Sequence, residues 1–353
     1  MRRFFWLLRY EFWLAATAVP IHLIVIVQPI LLFFLMRPVL VHPTFDLYVV
    51  QSPGAVGDVL ATAMNQVQSP SGTPYIRPIA IAPDADLDSL PQYIVVTEAD
   101  GEVTAVQHFG LVDDNQVKNM RNRLTAAGLR LWEAALSDRA VTIVEQPWLP
   151  EERPYTVYFG MAMLPLTAFM AAMMIGGILT AQDCETSAIL ELRLSPYPAG
   201  LWLAARLTRL ALSGLLAAGL LAALIGLTTQ SWPDAFGAVL LILLPVAIVA
   251  GCLGVAVGLW LRRAIPTLII SLLLTLVSWI MGGAFGPAQS FGGAIAWISR
   301  LLPTAYAVEL LFPHYYGAAI GSTPLAVLGL LLLTLLSLAG VSRVVVRRTR
   351  EGA

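Results

Sequence analysis

Between Gln182 and Pro198 the chain reads Gln-Asp-Cys-Glu-Thr-Ser-Ala-Ile-Leu-Glu-Leu-Arg-Leu-Ser-Pro-Tyr-Pro, a pattern suited to docking rather than to making bonds. Asp183 can cap a helix, and Glu185 and Thr186 favour its first turn. Ala188, Ile189 and Leu192 then form one apolar stripe, and Ser195-Pro196 stops it, because the residue before a proline avoids the helical region. A short amphipathic helix between two apolar segments fits a groove on a soluble partner; the alternative is a loop helix tucked against the bilayer. A second such stretch, Arg2-Arg-Phe-Phe-Trp-Leu-Leu-Arg-Tyr-Glu-Phe-Trp13, opens the chain. A helix there lies in a membrane interface, with Trp6 and Trp13 at headgroup depth and Arg2, Arg3 and Arg9 among phosphates.

Bond-making signatures do not occur. Lys118 is the only lysine, which excludes a P-loop in this sequence, and neither H-E-x-x-H nor G-x-S-x-G is found. His42 and His108 have no partner at ligand spacing, and Asp84, Asp86 and Asp88 lack the glycine and distal glutamate of a calcium loop. Cys184 and Cys252 are separated by the expected topology and form no disulfide framework. The expectation is a chain with no catalytic residue, metal site, cofactor or nucleic-acid partner of its own.

The elements that must position these stretches are apolar. Hydrophobic residues make up 58% of the chain and charged ones 12%, with a mean hydropathy of +0.76; a soluble domain carries roughly 25% charge. A span needs about 20 mostly apolar residues. Ala15–Met36, Val157–Ala181, Leu203–Leu227, Ala235–Leu261, Ala264–Met281 and Pro324–Val341 meet or approach that length. The fold class is therefore a polytopic α-helical membrane protein: six transmembrane helices, with a mixed α/β extracytoplasmic domain inserted between helices 1 and 2. In domain terms, residues 1–14 form the interfacial helix and 15–37 the first span. Residues 38–155 form the outer domain, 156–345 the remaining spans and 346–353 a cytoplasmic tail. Arginine marks the cytoplasmic side of short loops. Arg2, Arg3 and Arg9, then Arg193, Arg206 and Arg209, then Arg262 and Arg263, then Arg343, Arg347, Arg348 and Arg350 all fall on one side. Both termini are thus expected inside.

Within the spans, His22 is the only ionisable side chain expected near mid-membrane, with the amide of Gln28 on the same helix. These two are candidates to line a path, or polar contacts to neighbouring helices. Gly254-Val-Ala-Val-Gly258 lets helices approach closely, including at a subunit interface. In the insert, Phe45–Val50, Tyr93–Thr97, Val103–Phe109 and Val141–Val144 read as strands, and Asn115–Ala135 as a helix.

Glu185-Thr-Ser-Ala-Ile-Leu-Glu-Leu-Arg-Leu-Ser195-Pro196 resembles the link between spans two and three of type-2 ABC transporter permeases, with its opening acid, leucine-rich middle and Ser-Pro close. Thr186-Ser187 stands where the family usually has Gly-Thr. The resemblance implies a coupling helix at 183–195, with Glu185, Thr186, Ile189, Leu190, Leu192, Ser195 and Pro196 contacting an ATPase. It implies that Arg2–Trp13 touches the same ATPase. It implies a re-entrant pair of outer helices at 290–312, broken at Pro303, with Glu309 near the outer surface. The large insert after span one matches one branch of the family. The implied protein is the permease subunit of an exporter in a prokaryotic-type plasma membrane, surrounded by lipid. A second permease copy or paralogue and a P-loop ATP-binding subunit are its partners, and that subunit holds the ATP and Mg.

Two other readings stay open on the residues alone. An ion-driven secondary transporter needs a mid-membrane acid, and a membrane-anchored receptor or assembly factor would use the outer domain. Sparse charge in the spans favours an amphipathic cargo over a strongly ionic one.

Overall fold

The computed structural model describes residues 2–17, 19–40, 45–51, 56–68, 72, 74–82, 85–87, 90, 92–99, 102–109, 114–135, 155–189, 198–286 and 293–351. In chain order the main elements are α1 (Arg2–Thr17), α2 (Val19–Leu40), β1 (Phe45–Gln51), α3 (Val56–Gln66), β2 (Ile76–Ile81), β3 (Gln92–Ala99), β4 (Glu102–Phe109), α4 (Asp114–Ala135), α5 (Tyr155–Glu185), α6 (Ala199–Thr229), α7 (Phe236–Leu261), α8 (Ala264–Met281), α9 (Gly293–Ser299), α10 (Pro303–Tyr316) and α11 (Thr323–Glu351). The chain divides into two compact units: Met1–Val41 with Trp148–Ala353, and His42–Pro147.

Six helices of the first unit, α2, α5, α6, α7, α8 and α11, are long and apolar enough to cross a membrane. The helices α9 and α10 meet at an 85° bend. The break falls at 300–302, and Pro303 opens α10, where a missing N–H costs no hydrogen bond. The junction expected at 14–15 falls later, since α1 runs on to Thr17 and α2 begins at Val19 with Pro20 in its first turn. The expected span 157–181 and the start of the expected coupling helix are one continuous helix, α5, through Glu185.

The axis of this unit is α5. Its residues Thr156–Ala181 are all buried, because the sequence is apolar or small on every face and so has no side to give to solvent. It packs against α2, α6, α7, α8 and α10. Glycines bring α7 close: a Cβ on Gly258 would lie 2.5 Å from the Gly177 carbonyl, and one on Gly254 would collide with that of Met173. The G-x-x-x-G face is thereby packed against the chain's own α5. The α8 helix turns Thr267, Ser271, Thr275 and Ser278 inward while Ile265, Ile269, Leu273 and Val277 face out. That inversion suits a helix whose surroundings are apolar.

At the Tyr155 end of α5, the Tyr155 and Tyr158 hydroxyls donate to the carbonyls of Phe285 (2.9 Å) and Gly283 (2.8 Å) just past α8. Phe159, Trp279 and Phe285 pack edge-on and tilted around them, and the Trp279 indole donates to the Ala162 carbonyl at 3.1 Å.

The second unit is a four-stranded sheet in the order β2-β1-β3-β4. β1 runs parallel to both β2 and β3, and β3 and β4 form an antiparallel hairpin. Leu47, Val49, Ile76, Ile94 and Val96 alternate onto one face and meet Leu60, Met64 and Ala127 of α3 and α4. His108 stacks on Tyr93 across the hairpin at 4.5 Å. The stretch Val141–Val144 and residues His42, Asp84 and Asp88 lie outside the described residues.

Candidate functional site

Where α1, α2, α5 and α6 converge, four charged side chains are packed together. Two come from the opening turns of α6, in which Arg206 and Arg209 stand three residues apart and so share a face. Both are buried, at 1% and 0% exposure. An arginine in an apolar helix needs partners inside the bundle, and three neighbouring helices supply them. Glu11 of α1, 1% exposed, lies between the two guanidinium groups. Arg206 Nε donates to its Oε1 at 3.1 Å and Arg209 Nη1 to its Oε2 at 3.2 Å. Arg209 Nη1 also reaches the Glu11 backbone carbonyl at 3.3 Å.

The α5 helix adds Asp183, whose Oδ2 accepts from Arg206 Nη1 at 2.5 Å, and the Thr180 hydroxyl at 3.3 Å from the same nitrogen. Arg206 also lies over the Trp202 ring, 4.5 Å from its centroid. The fourth helix contributes His22 of α2, whose Nε2 sits 3.3 Å from Arg209 Nη2. A guanidinium can only donate, so Nε2 accepts and the ring proton is on Nδ1. Two acids balance two bases. Burying such a set costs desolvation that its pairing must offset, and breaking it is expensive, because removing one member strands a buried charge at a cost of about 3–5 kcal/mol. A cavity of about 340 Å³ opens beside it, bordered by Leu14, Pro20, Leu179, Asp183 and Arg206.

This geometry corrects two expectations. Asp183 is no helix cap: it sits in the last turn of α5, whose backbone runs on through Glu185, and its carboxylate is committed to Arg206. His22, expected near mid-membrane, is in the first turn of α2 and joins the charge cluster. Gln28 is exposed on α2.

Two residues beyond Asp183, Glu185 ties α5 to another helix. Its Oε1 accepts from the backbone N–H of Ala264 at 2.9 Å, the first residue of α8. An opening N–H of a helix has no partner within the helix, and a carboxylate there also meets the positive end of the helix dipole. Thr186 bonds back to the Gln182 carbonyl through its hydroxyl, and Ser187 takes a left-handed backbone (φ 62°) that ends α5. Ile189 is half-buried against the core. Leu190, Leu192, Ser195 and Pro196 lie outside the described residues. On α1, Arg2, Arg3, Trp6, Arg9 and Trp13 are all exposed, so this helix shows rings and arginines outward and keeps its one acid inside.

Arg206 and Arg209 were legible only as charges in a topology count, and Glu11 only as one residue of the opening stretch. The usable signal was the i, i+3 arginine pair at the start of an apolar helix, which demands acids from neighbouring elements.

Six apolar helices, one of them (α5) buried among the others, with a charge cluster joining four helices at one end, define a multi-pass membrane protein. Residues 92–341 match the family model described as ABC-2 family transporter protein, and the chain belongs to that family. The match begins at β3 and runs into α11. A search of curated proteins gave no significant match.

Proposed function

We propose that this chain is the membrane permease of an ATP-driven exporter and that the last turn of α5 transmits a partner's movement into the bundle. Family membership supports a permease whose kind of partner is an ATP-binding subunit. The observation that carries the transmission is the double tether at the end of α5. Asp183 holds α6, and through Arg206 the acid of α1, while Glu185 holds the start of α8.

In this reading both termini and the segment after α5 face the cytoplasm, and residues 42–147 form an extracytoplasmic α/β domain. The ATPase docks on the segment that follows Glu185 and on the exposed face of α1, and it holds the ATP and Mg. Closure of two ATPase subunits pushes the segment after α5. The push reaches α1, α2, α6 and α8 through charged contacts that have directional, discrete alternatives, and the cavity beside the cluster gives them room to re-form. A second permease copy or paralogue completes the path. The permease itself makes and breaks no covalent bond.

The test is purification of the tagged chain in mild detergent, with mass spectrometry of what co-elutes. A stoichiometric P-loop ATPase, stimulated in the complex, is the expected result. The Glu185→Arg variant keeps the fold and loses the stimulation. A permease that comes alone, and that stimulates no co-expressed ATPase on reconstitution, overturns the reading.

A further inference from the structure

The bend between α9 and α10 encloses a second cavity, of about 460 Å³, against the first half of α11. Tyr306 builds its floor. Its hydroxyl donates to the Arg300 carbonyl at 2.8 Å, pinning the bend, and its ring rests on Gly329, where a Cβ would come within 2.6 Å of ring carbons. The helices therefore touch at Tyr306 and Gly329 and leave a wedge elsewhere. Arg300 and Glu309 both line that wedge. Arg300 is exposed and, among the described residues, its guanidinium has no ion pair. From the polar end, Leu325, Leu328 and Leu332 follow one another down α11 at spacings of three and four. All three are more than half exposed.

We infer that this wedge is a binding site for a zwitterionic phospholipid of the phosphatidylethanolamine kind, its phosphate on Arg300, its amine near Glu309 and an acyl chain along the leucines. The dimensions fit. From Thr323, where α11 begins, to Leu332 is about 14 Å at 1.5 Å per residue, close to one leaflet of a hydrocarbon core about 30 Å thick. The charges fit as well. A guanidinium pairs bidentately with phosphate, and a carboxylate oxygen has room for more than one donor. One base and one acid in the same cavity select a headgroup carrying both signs over a purely anionic one. A lipid held there would brace the bend from outside while Tyr306 braces it from within.

The test uses the full-length permease stripped of lipid and titrated with phosphatidylethanolamine, phosphatidylglycerol or inorganic phosphate. Native mass spectrometry reads the adducts and thermal unfolding reads their effect. Phosphatidylethanolamine is expected to bind at least tenfold more tightly than phosphatidylglycerol. Arg300→Gln loses at least tenfold. Leu328→Trp, on an exposed face where folding is unaffected, fills the wedge and removes the adduct. Equal binding by wild type and Arg300→Gln, or by the two lipids, overturns the proposal. Competition by free phosphate as effective as by lipid also overturns it, and makes the site one for a soluble anion.

Discussion

The two ends of α5 are held by different physics. At the Tyr155 end, two hydroxyls reach backbone carbonyls and three rings fill the space behind them. At the Glu185 end, carboxylates of α1 and α5 meet buried arginines, and a third carboxylate caps α8. Rings bury area and tolerate small shifts, since area is insensitive to angle. Charge-assisted hydrogen bonds are directional and short-ranged, so they switch between discrete arrangements. One end therefore suits an anchor and the other a lever. The lever end is also where the segment proposed to meet the ATPase leaves the bundle.

The strongest way to break that contrast is Glu11→Ala. It strands Arg209 in a buried site and leaves Arg206 to Asp183 alone, and the expected cost is about 3–5 kcal/mol, read as a large fall in melting temperature of the purified permease. Tyr158→Phe probes the other end by removing one donor from the Gly283 carbonyl. The expected cost is about 1 kcal/mol, with the ring packing against Phe312 retained. Equal losses from the two substitutions would mean that charge and ring contacts are interchangeable here.

The sequence made the membrane unit legible because long apolar runs have few other solutions. It hid the charge cluster because Arg206 and Arg209 served as markers of sidedness, and nothing local says which acid 195 or 198 residues away will meet them. The same limit applied to Asp183, where a good capping residue was claimed by an arginine of the next helix. In the smaller unit β2 escaped the strand reading because Pro78 lies inside it. Its place at the sheet edge explains the tolerance: β1 bonds it on one side only, so a missing N–H can face away from the ladder. β1 and β3, rich in β-branched residues and paired on both sides, carried the clearer signal.

The smallest effect on stability is expected at Glu185, and there the contrast sharpens most. Its carboxylate is exposed and satisfies one N–H at the start of α8. Glu185→Gln keeps an acceptor and changes the melting temperature little, while Glu185→Ala costs about 1 kcal/mol, as for the loss of a helix cap. Glu185→Arg places a cation at the positive end of α8 and loses somewhat more. ATPase stimulation should rank the variants differently from stability. It should fall markedly in Glu185→Ala and Glu185→Arg, because α8 is no longer tied to the turn that receives the push. It should survive in Glu11→Gln only as far as the cluster survives. If Glu185→Ala destabilises as much as Glu11→Ala, the residue is a pillar of the fold and the lever must lie elsewhere. If stimulation is unchanged while the tether to Ala264 is gone, α8 takes its signal from packing against α5, through Gly177 and Thr267, and the charged end holds the bundle without driving it.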